Sequence, residues 1–228
     1  MGSPVVDENG QRYTVRCGVD VSEHQGVIDW AALAAEEIEF AILRAGYRGY
    51  GAEGKLLEDA FFETNLRGAA ENGLDVGVYF FSQATSTAEA EEEADFLIAL
   101  LRRCAPEKLA LPVFFDWEHI DFDTARTDAV TAETMTQCAV AFCERVREAG
   151  YTPGIYTFRF PAYFEYDLTA IRDYPLWIGA VGDTPDFYYA FDIWQFSTEG
   201  SLAGVEVNVD LDAIFVPVEE TTERVGAE

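Results

Sequence analysis

The sequence predicts an α/β fold: a closed, TIM-like barrel of five βα units followed by three strands with little helix between them. Short apolar strand patterns alternate with helical patterns over the first two-thirds of the chain, which argues for parallel strands joined by right-handed crossovers. Eight strand patterns lie within about 200 residues, slightly fewer residues than a full eightfold βα barrel uses. No GxGxxG or Walker loop follows any strand, which counts against an open doubly wound sheet.

Each element has a local reason. Residues 17–22 (CGVDVS) form the first strand, and Asp29 caps a helix over 30–37, where alanine and acidic residues favour that state. Residues 40–47 (FAILRAGY) are a buried-strand run, 55–72 a helix closed by Gly73, and 75–82 (DVGVYFFS) the third strand. Ser86 and Glu89 make a capping box for a helix ending near Arg102 and Arg103, acidic first and basic last. Residues 111–118 (LPVFFDWE) are the fourth strand, 131–149 an amphipathic helix stopped by Gly150, and 154–157 (GIYT) the fifth strand. Residues 176–181, 191–197 and 207–215 complete the set. Residues 1–16 read as a polar N-terminal segment or cloning remnant, 17–216 as the catalytic barrel, and 217–228 as an acidic tail.

Composition narrows the function. The chain has 228 residues, with 15 Lys and Arg against 42 Asp and Glu, a net charge of −27. That excess repels phosphates and excludes a nucleic-acid binder working through a basic face. The 49% hydrophobic content is enough to offset chain entropy. No apolar run approaches the roughly 20 residues of a membrane span, and no basic-then-apolar leader opens the chain, which predicts a soluble protein whose leader is absent or removed. Cys17, Cys104, Cys138 and Cys143 lack CxxC spacing, and the last two sit about 8.6 Å apart on one helix, beyond disulfide reach. They read as small apolar residues.

In a βα barrel the reacting groups come from the C-terminal ends of the strands. There the sequence places Asp20, Tyr79, Asp116, Glu118, Tyr156, Trp177, Trp194, Gln195, Asp210 and Asp212. Alternation puts Asp116 and Glu118 on one face about 6–7 Å apart, with Trp117 pointing away. Repulsion and partial desolvation should raise one pKa, leaving a proton donor beside an anion. Asp20 and Asp210 are further acids on apolar strands. Tyr79, Tyr156, Trp177 and Trp194 suit a sugar site, since pyranose rings offer flat C–H faces to aromatics that also carry a polar atom.

These residues carry a resemblance. GVDVSEHQGVIDW at 18–30, FFDWE at 114–118, WQFS at 194–197 and VDL at 209–211 resemble, in order, the signature of glycoside hydrolase family 25, the Chalaropsis-type lysozymes also found among bacterial autolysins and phage endolysins. The resemblance implies a (β/α)5(β)3 barrel and hydrolysis of the β-1,4 bond between N-acetylmuramic acid and N-acetylglucosamine in peptidoglycan. It implies Glu118 as general acid, Asp116 as the group that orients or stabilises the substrate N-acetyl group, and Asp20 and Asp210 as the remaining acids of the site. Tyr79, Trp177 and Gln195 match substrate-contacting positions. Two departures stand out: the third strand reads Tyr79-Phe80-Phe81 where the family often has Tyr-His-Phe, and the sixth ends in Val181 where a tyrosine is usual.

The expected partner is therefore the glycan strand of bacterial peptidoglycan, met by a monomer outside the cell or at the wall, or after phage-type release. No cofactor, metal, nucleic acid or membrane is expected. The carboxyl spacing lies near the boundary between retaining and inverting geometries and selects neither. Asp116 would hold the acetamido group while its carbonyl attacks, or else activate water. Two other readings compete: a non-catalytic glycan-binding barrel, and a metal-dependent hydrolase using Asp20, Asp116, Glu118 and His119 or His24. The second is disfavoured because neither His lies in an HxH or HExxH pattern.

Overall fold

The computed structural model describes residues 5–6, 9–104 and 109–218. Ten strands form one sheet: β1 (Val5–Val6), β2 (Arg12–Val21), β3 (Ile38–Arg48), β4 (Leu56–Glu58), β5 (Asp75–Ser82), β6 (Val113–Trp117), β7 (Pro153–Phe158), β8 (Leu176–Gly179), β9 (Ile193–Gly200) and β10 (Val209–Pro217). Eight of them close on themselves in the order β2-β10-β9-β8-β7-β6-β5-β3, with β3 pairing back onto β2. All barrel pairings are parallel except those of β10, which runs antiparallel to both β9 and β2. This is the expected barrel. The helices are α1 (Trp30–Ala34), α2 (Phe62–Glu71), α3 (Thr87–Cys104), α4 (Ala132–Glu148), α5 (Arg159–Phe164) and α6 (Leu168–Ile171). Among the described residues no helix is long and apolar enough to cross a membrane.

Strand alternation sorts the side chains into layers. Val78, Phe80, Val113, Phe115 and Ile155 point outward and pack with α2, α3 and α4 residues such as Leu66, Leu97 and Phe142. Phe40, Ile42, Phe114, Tyr156, Trp177 and Ile193 point inward and plug the barrel. Gly18 and Gly154 make room for that plug: a Cβ at either position would fall 2.3 Å from the Phe40 ring or 2.6 Å from the Phe114 ring. Trp117 turns away from the barrel axis as expected, donating from its indole N–H to the Ala84 carbonyl at 3.1 Å.

Several expectations need correction. Residues 55–72 are not one helix: Leu56–Glu58 is an edge strand on the top of β3, and α2 begins only at Phe62. The break is made by buried Asp59, which accepts from the Phe61 N–H at 3.0 Å and pairs with Arg44 at 2.8 Å. The first strand starts at Arg12 and pairs with β10 from Tyr13–Pro217 onward, so residues 12–16 and Pro217 belong to the barrel. The rest of the expected tail, 219–228, lies outside the described residues, as does 1–4. The Ser86–Glu89 box is shifted by one residue: Ser86 accepts from the Glu89 N–H, but the Glu89 carboxylate takes both donors of Thr85 at 2.8 Å. Cys138 and Cys143 are buried, unpaired thiols on α4.

Candidate active site

The C-terminal ends of the parallel strands open onto a cleft of about 790 Å³ lined by Asp20, Asp116, Glu118 and Asp210, with Tyr79, Tyr156, Trp177 and Gln195 beside them. Register explains the convergence. Asp20 on β2 lies directly opposite Asp210 on β10, Asp116 opposite Tyr156, Tyr156 opposite Trp177, and Gln195 opposite Asp212. Trp194 is the exception among the expected site residues. It sits one residue out of phase with Gln195, faces outward, stacks on Phe215 at 6.2 Å and donates to the Ala180 carbonyl at 2.7 Å. On the side of β8–β10 that no long helix covers, loop aromatics make the outer face as apolar as the inner one, so hydropathy alone misses the parity.

Two linked acid groups occupy the cleft floor. In the first, Asp116 and Glu118 share a hydrogen bond, so the pair holds a proton. Burial pushes both carboxyls above their ordinary range; the Glu118 charge and the shared bond push Asp116 further up, while that bond pulls Glu118 back down. Of the two, the deeper Asp116 is raised the further, and Glu118 faces the cleft. Both carboxyls are raised, where the sequence predicts a raised pKa on one of the two. Asp116 Oδ1 receives no N–H or hydroxyl hydrogen bond among the described residues.

The second group is Asp20, Asp210 and Asp212. Tyr156 Oη donates to Gln195 Oε1 at 2.8 Å, and Gln195 Nε2 donates to Asp20 Oδ2 at 2.8 Å. Asp20 in turn shares hydrogen bonds with Asp210 and Asp212, and Trp177 donates to Asp212 Oδ1 at 2.8 Å. Burial raises all three, Asp210 to about 6 and Asp212 to about 8. Trp177 thus acts first as a clamp on Asp212, wedged between Tyr156 at 4.5 Å and Phe114 at 5.3 Å.

Two residues of this floor had no assigned role. Asp212 repeats the Asp-x-acid spacing of Asp116 and Glu118, a signal that was available. Arg44, an arginine inside an otherwise apolar strand, is held by Asp59 at 2.8 Å and Glu23 at 3.0 Å and lines the cleft, where its charge pulls the Asp116 carboxyl down. Of the two histidines that the metal-dependent reading offers as alternatives, His119 has Nε2 2.8 Å from Glu165, and His24, which lines the cleft, has Nε2 3.5 Å from Arg44. At the opposite rim Tyr50 and Phe122 meet edge to face at 5.6 Å and line the cleft.

The chain is 24% identical to the autolytic lysozyme of Clostridium acetobutylicum over 198 residues, 86% of this chain and 54% of that protein. It superposes on the autolysin LytC of Streptococcus pneumoniae, solved in complex with a synthetic peptidoglycan ligand, with a TM-score of 0.75 and 22% identity over 92% of this chain and 51% of that one, a likeness of fold. A family 25 glycosyl hydrolase from Bacillus anthracis matches with a TM-score of 0.70 and 25% identity over 92% of both chains. The chain spans about half the length of the first two. Residues 19–205 match the model of glycosyl hydrolases family 25, more than three-quarters of the sequence, and the chain belongs to that family.

Proposed function

We propose that this chain is a peptidoglycan hydrolase of the muramidase type, cleaving the β-1,4 bond between N-acetylmuramic acid and N-acetylglucosamine at the cell wall. The observation that carries the reading is the hydrogen-bonded Asp116–Glu118 pair on the floor of an aromatic-lined cleft. Glycoside hydrolysis through an oxocarbenium-like state needs a carboxylic acid at the leaving oxygen and a second group that supports the anomeric carbon. Glu118, nearer the opening, is the proton donor, and Asp116 is the supporting group.

The substrate itself completes the arrangement. An acetamido N–H that donates to Asp116 stabilises its charged form, which lowers its hold on the proton. The proton then moves along the shared hydrogen bond to Glu118, where the leaving oxygen takes it. The carboxylate left on Asp116 orients the acetamido group, whose carbonyl attacks the anomeric carbon, or it activates water. Asp20 and Asp210 complete the acidic rim, and Gln195 and Tyr156 hold Asp20 in place.

The test is lysis of purified cell walls followed by turbidity. Glu118→Gln keeps the fold and loses about 10²–10⁴-fold in rate, the range of a general acid. Activity of the unmodified chain survives EDTA. A Glu118→Gln variant that clears walls at the unmodified rate removes this residue from the role. Wall binding by the unmodified chain without release of reducing ends replaces the enzyme by a glycan-binding barrel.

A further inference from the structure

Next to the cleft the surface changes character. Phe158 lines both the cleft and a second groove of about 530 Å³ formed by the end of β8, α5 and the loop after β8. Phe160 and Phe164, 63% and 71% exposed, touch each other at 5.0 Å, and Tyr163 bridges from Phe164 to Phe187 at 5.1 Å. Core packing does not explain rings this exposed, and a run of this many contacting aromatics exceeds the scattered apolar residues of an ordinary surface.

The groove is built rather than incidental. Arg159 pairs with Asp186 at 2.5 Å, and Tyr163 Oη accepts the Tyr188 N–H at 2.7 Å, so α5 and the β8–β9 loop are pinned at two points. Asp186 has a φ of +27°, an uncommon backbone conformation for a residue other than glycine. Gly179 forms the floor. A Cβ there would stand 2.6 Å from the Phe158 ring and 2.9 Å from Tyr156 Oη, so the bare backbone lets both rings sit where the cleft meets the groove.

We infer that this groove is a saccharide subsite, in which Phe158, Phe160 and Tyr163 hold one further N-acetylhexosamine of the glycan strand as it leaves the cleft. The inference rests on the muramidase reading for the polymer it names. Aromatic faces at a groove take the C–H face of a pyranose, and the Arg159–Asp186 pair at its edge offers donors and acceptors to hydroxyl and acetamido groups. The two charged side chains of the lining cancel, which suits a neutral sugar. A net charge of −27 disfavours an anionic lipid surface or a second copy of the chain as the occupant.

The test compares kcat/KM on long glycan strands with that on a tetrasaccharide of two disaccharide units. Phe160→Ala lowers the long-to-short ratio by about five- to tenfold, the worth of one aromatic contact. Phe160→Tyr keeps the ratio, and Val216→Ala, at the far end of the barrel, leaves it unchanged. A Phe160→Ala ratio within about twofold of the unmodified chain, or an equal loss on both substrates, overturns the subsite. If the unmodified chain cleaves neither substrate, the muramidase reading fails separately, and the subsite is decided by cosedimentation with purified sacculi. Loss of binding in Phe160→Ala then supports it, and undiminished binding, or a change in sedimentation coefficient showing self-association through this patch, overturns it.

Discussion

Two carboxyls joined by a hydrogen bond share a proton, and whichever gives it up gains a charge that its neighbour then repels. At Asp116 and Glu118 burial raises both, so the pair stays singly protonated at a pH where isolated carboxyls are ionised. The pH profile of kcat/KM is therefore expected to be bell-shaped, with its alkaline limb above the usual carboxylate range; a profile still rising beyond pH 9 contradicts a protonated pair. Asp212 gives a second residue-scale prediction. Its pKa of about 8 in the folded state exceeds the ordinary 3.8, so between those values the folded chain keeps a proton that the unfolded chain has lost. Its contribution to stability is complete below about pH 4 and is lost as pH rises through about 8. Asp212→Asn, a neutral mimic, is expected to stabilise the fold at pH 8.5 by about 1–3 kcal/mol, roughly 2–4 °C in Tm per kcal/mol, and to flatten the pH dependence of Tm. An unchanged Tm–pH curve contradicts it. The acids were legible in the sequence because a charged residue in an apolar strand is conspicuous. Which of the paired acids is raised the further was not, since that depends on depth. The outward face of Trp194 is not legible from hydropathy, which leaves strand parity open there, whereas Arg44 stands out as the residue that breaks its own strand's apolar pattern.

At the scale of elements, the barrel strands were readable because each apolar run is bounded by turn or cap residues. Thr131 caps α4 by accepting the Thr134 N–H at 3.2 Å, and Gly150 leaves it at a φ of +90°. The edge strand β4 was hidden because the break at 55–72 joins a short local turn, in which Asp59 accepts the Phe61 N–H, to a tertiary contact, Asp59 with Arg44, that the sequence does not display. Such contacts also hold the rim. Arg48 on β3 is buried with Glu93 on α3 at 2.7 Å and also reaches Glu92 and the Gly54 carbonyl. Arg126 joins the same cluster through Glu89 at 2.5 Å and the Gln83 carbonyl, tying the loop that carries Phe122 to the start of α3. Burial moves Glu93 up to about 7. Arg48→Met leaves that carboxyl buried without its cation and is expected to cost about 3–5 kcal/mol in denaturant unfolding. Adding Glu93→Leu should restore most of it; a double variant as unstable as the single one contradicts this account of the pair.

For the whole molecule, closure of eight strands gathers side chains from β2, β6, β9 and β10 at one mouth, which is why acids nearly 200 positions apart in the chain become neighbours. The chain as a whole carries a net charge of −27, and bacterial walls are themselves often anionic. Activity on intact walls is expected to rise from low to moderate salt, as the Debye length shrinks to about 8 Å near 0.15 M. A steady fall over the same range contradicts it. The central claim, that the proton shared by Asp116 and Glu118 cleaves a glycosidic bond, is tested most directly by mass spectrometry of muropeptides after borohydride reduction of digested peptidoglycan. The account predicts new reducing ends on N-acetylmuramic acid with the unmodified chain and none with Glu118→Gln. Reducing ends on N-acetylglucosamine, or muramic acid ends produced equally by the variant, would contradict it.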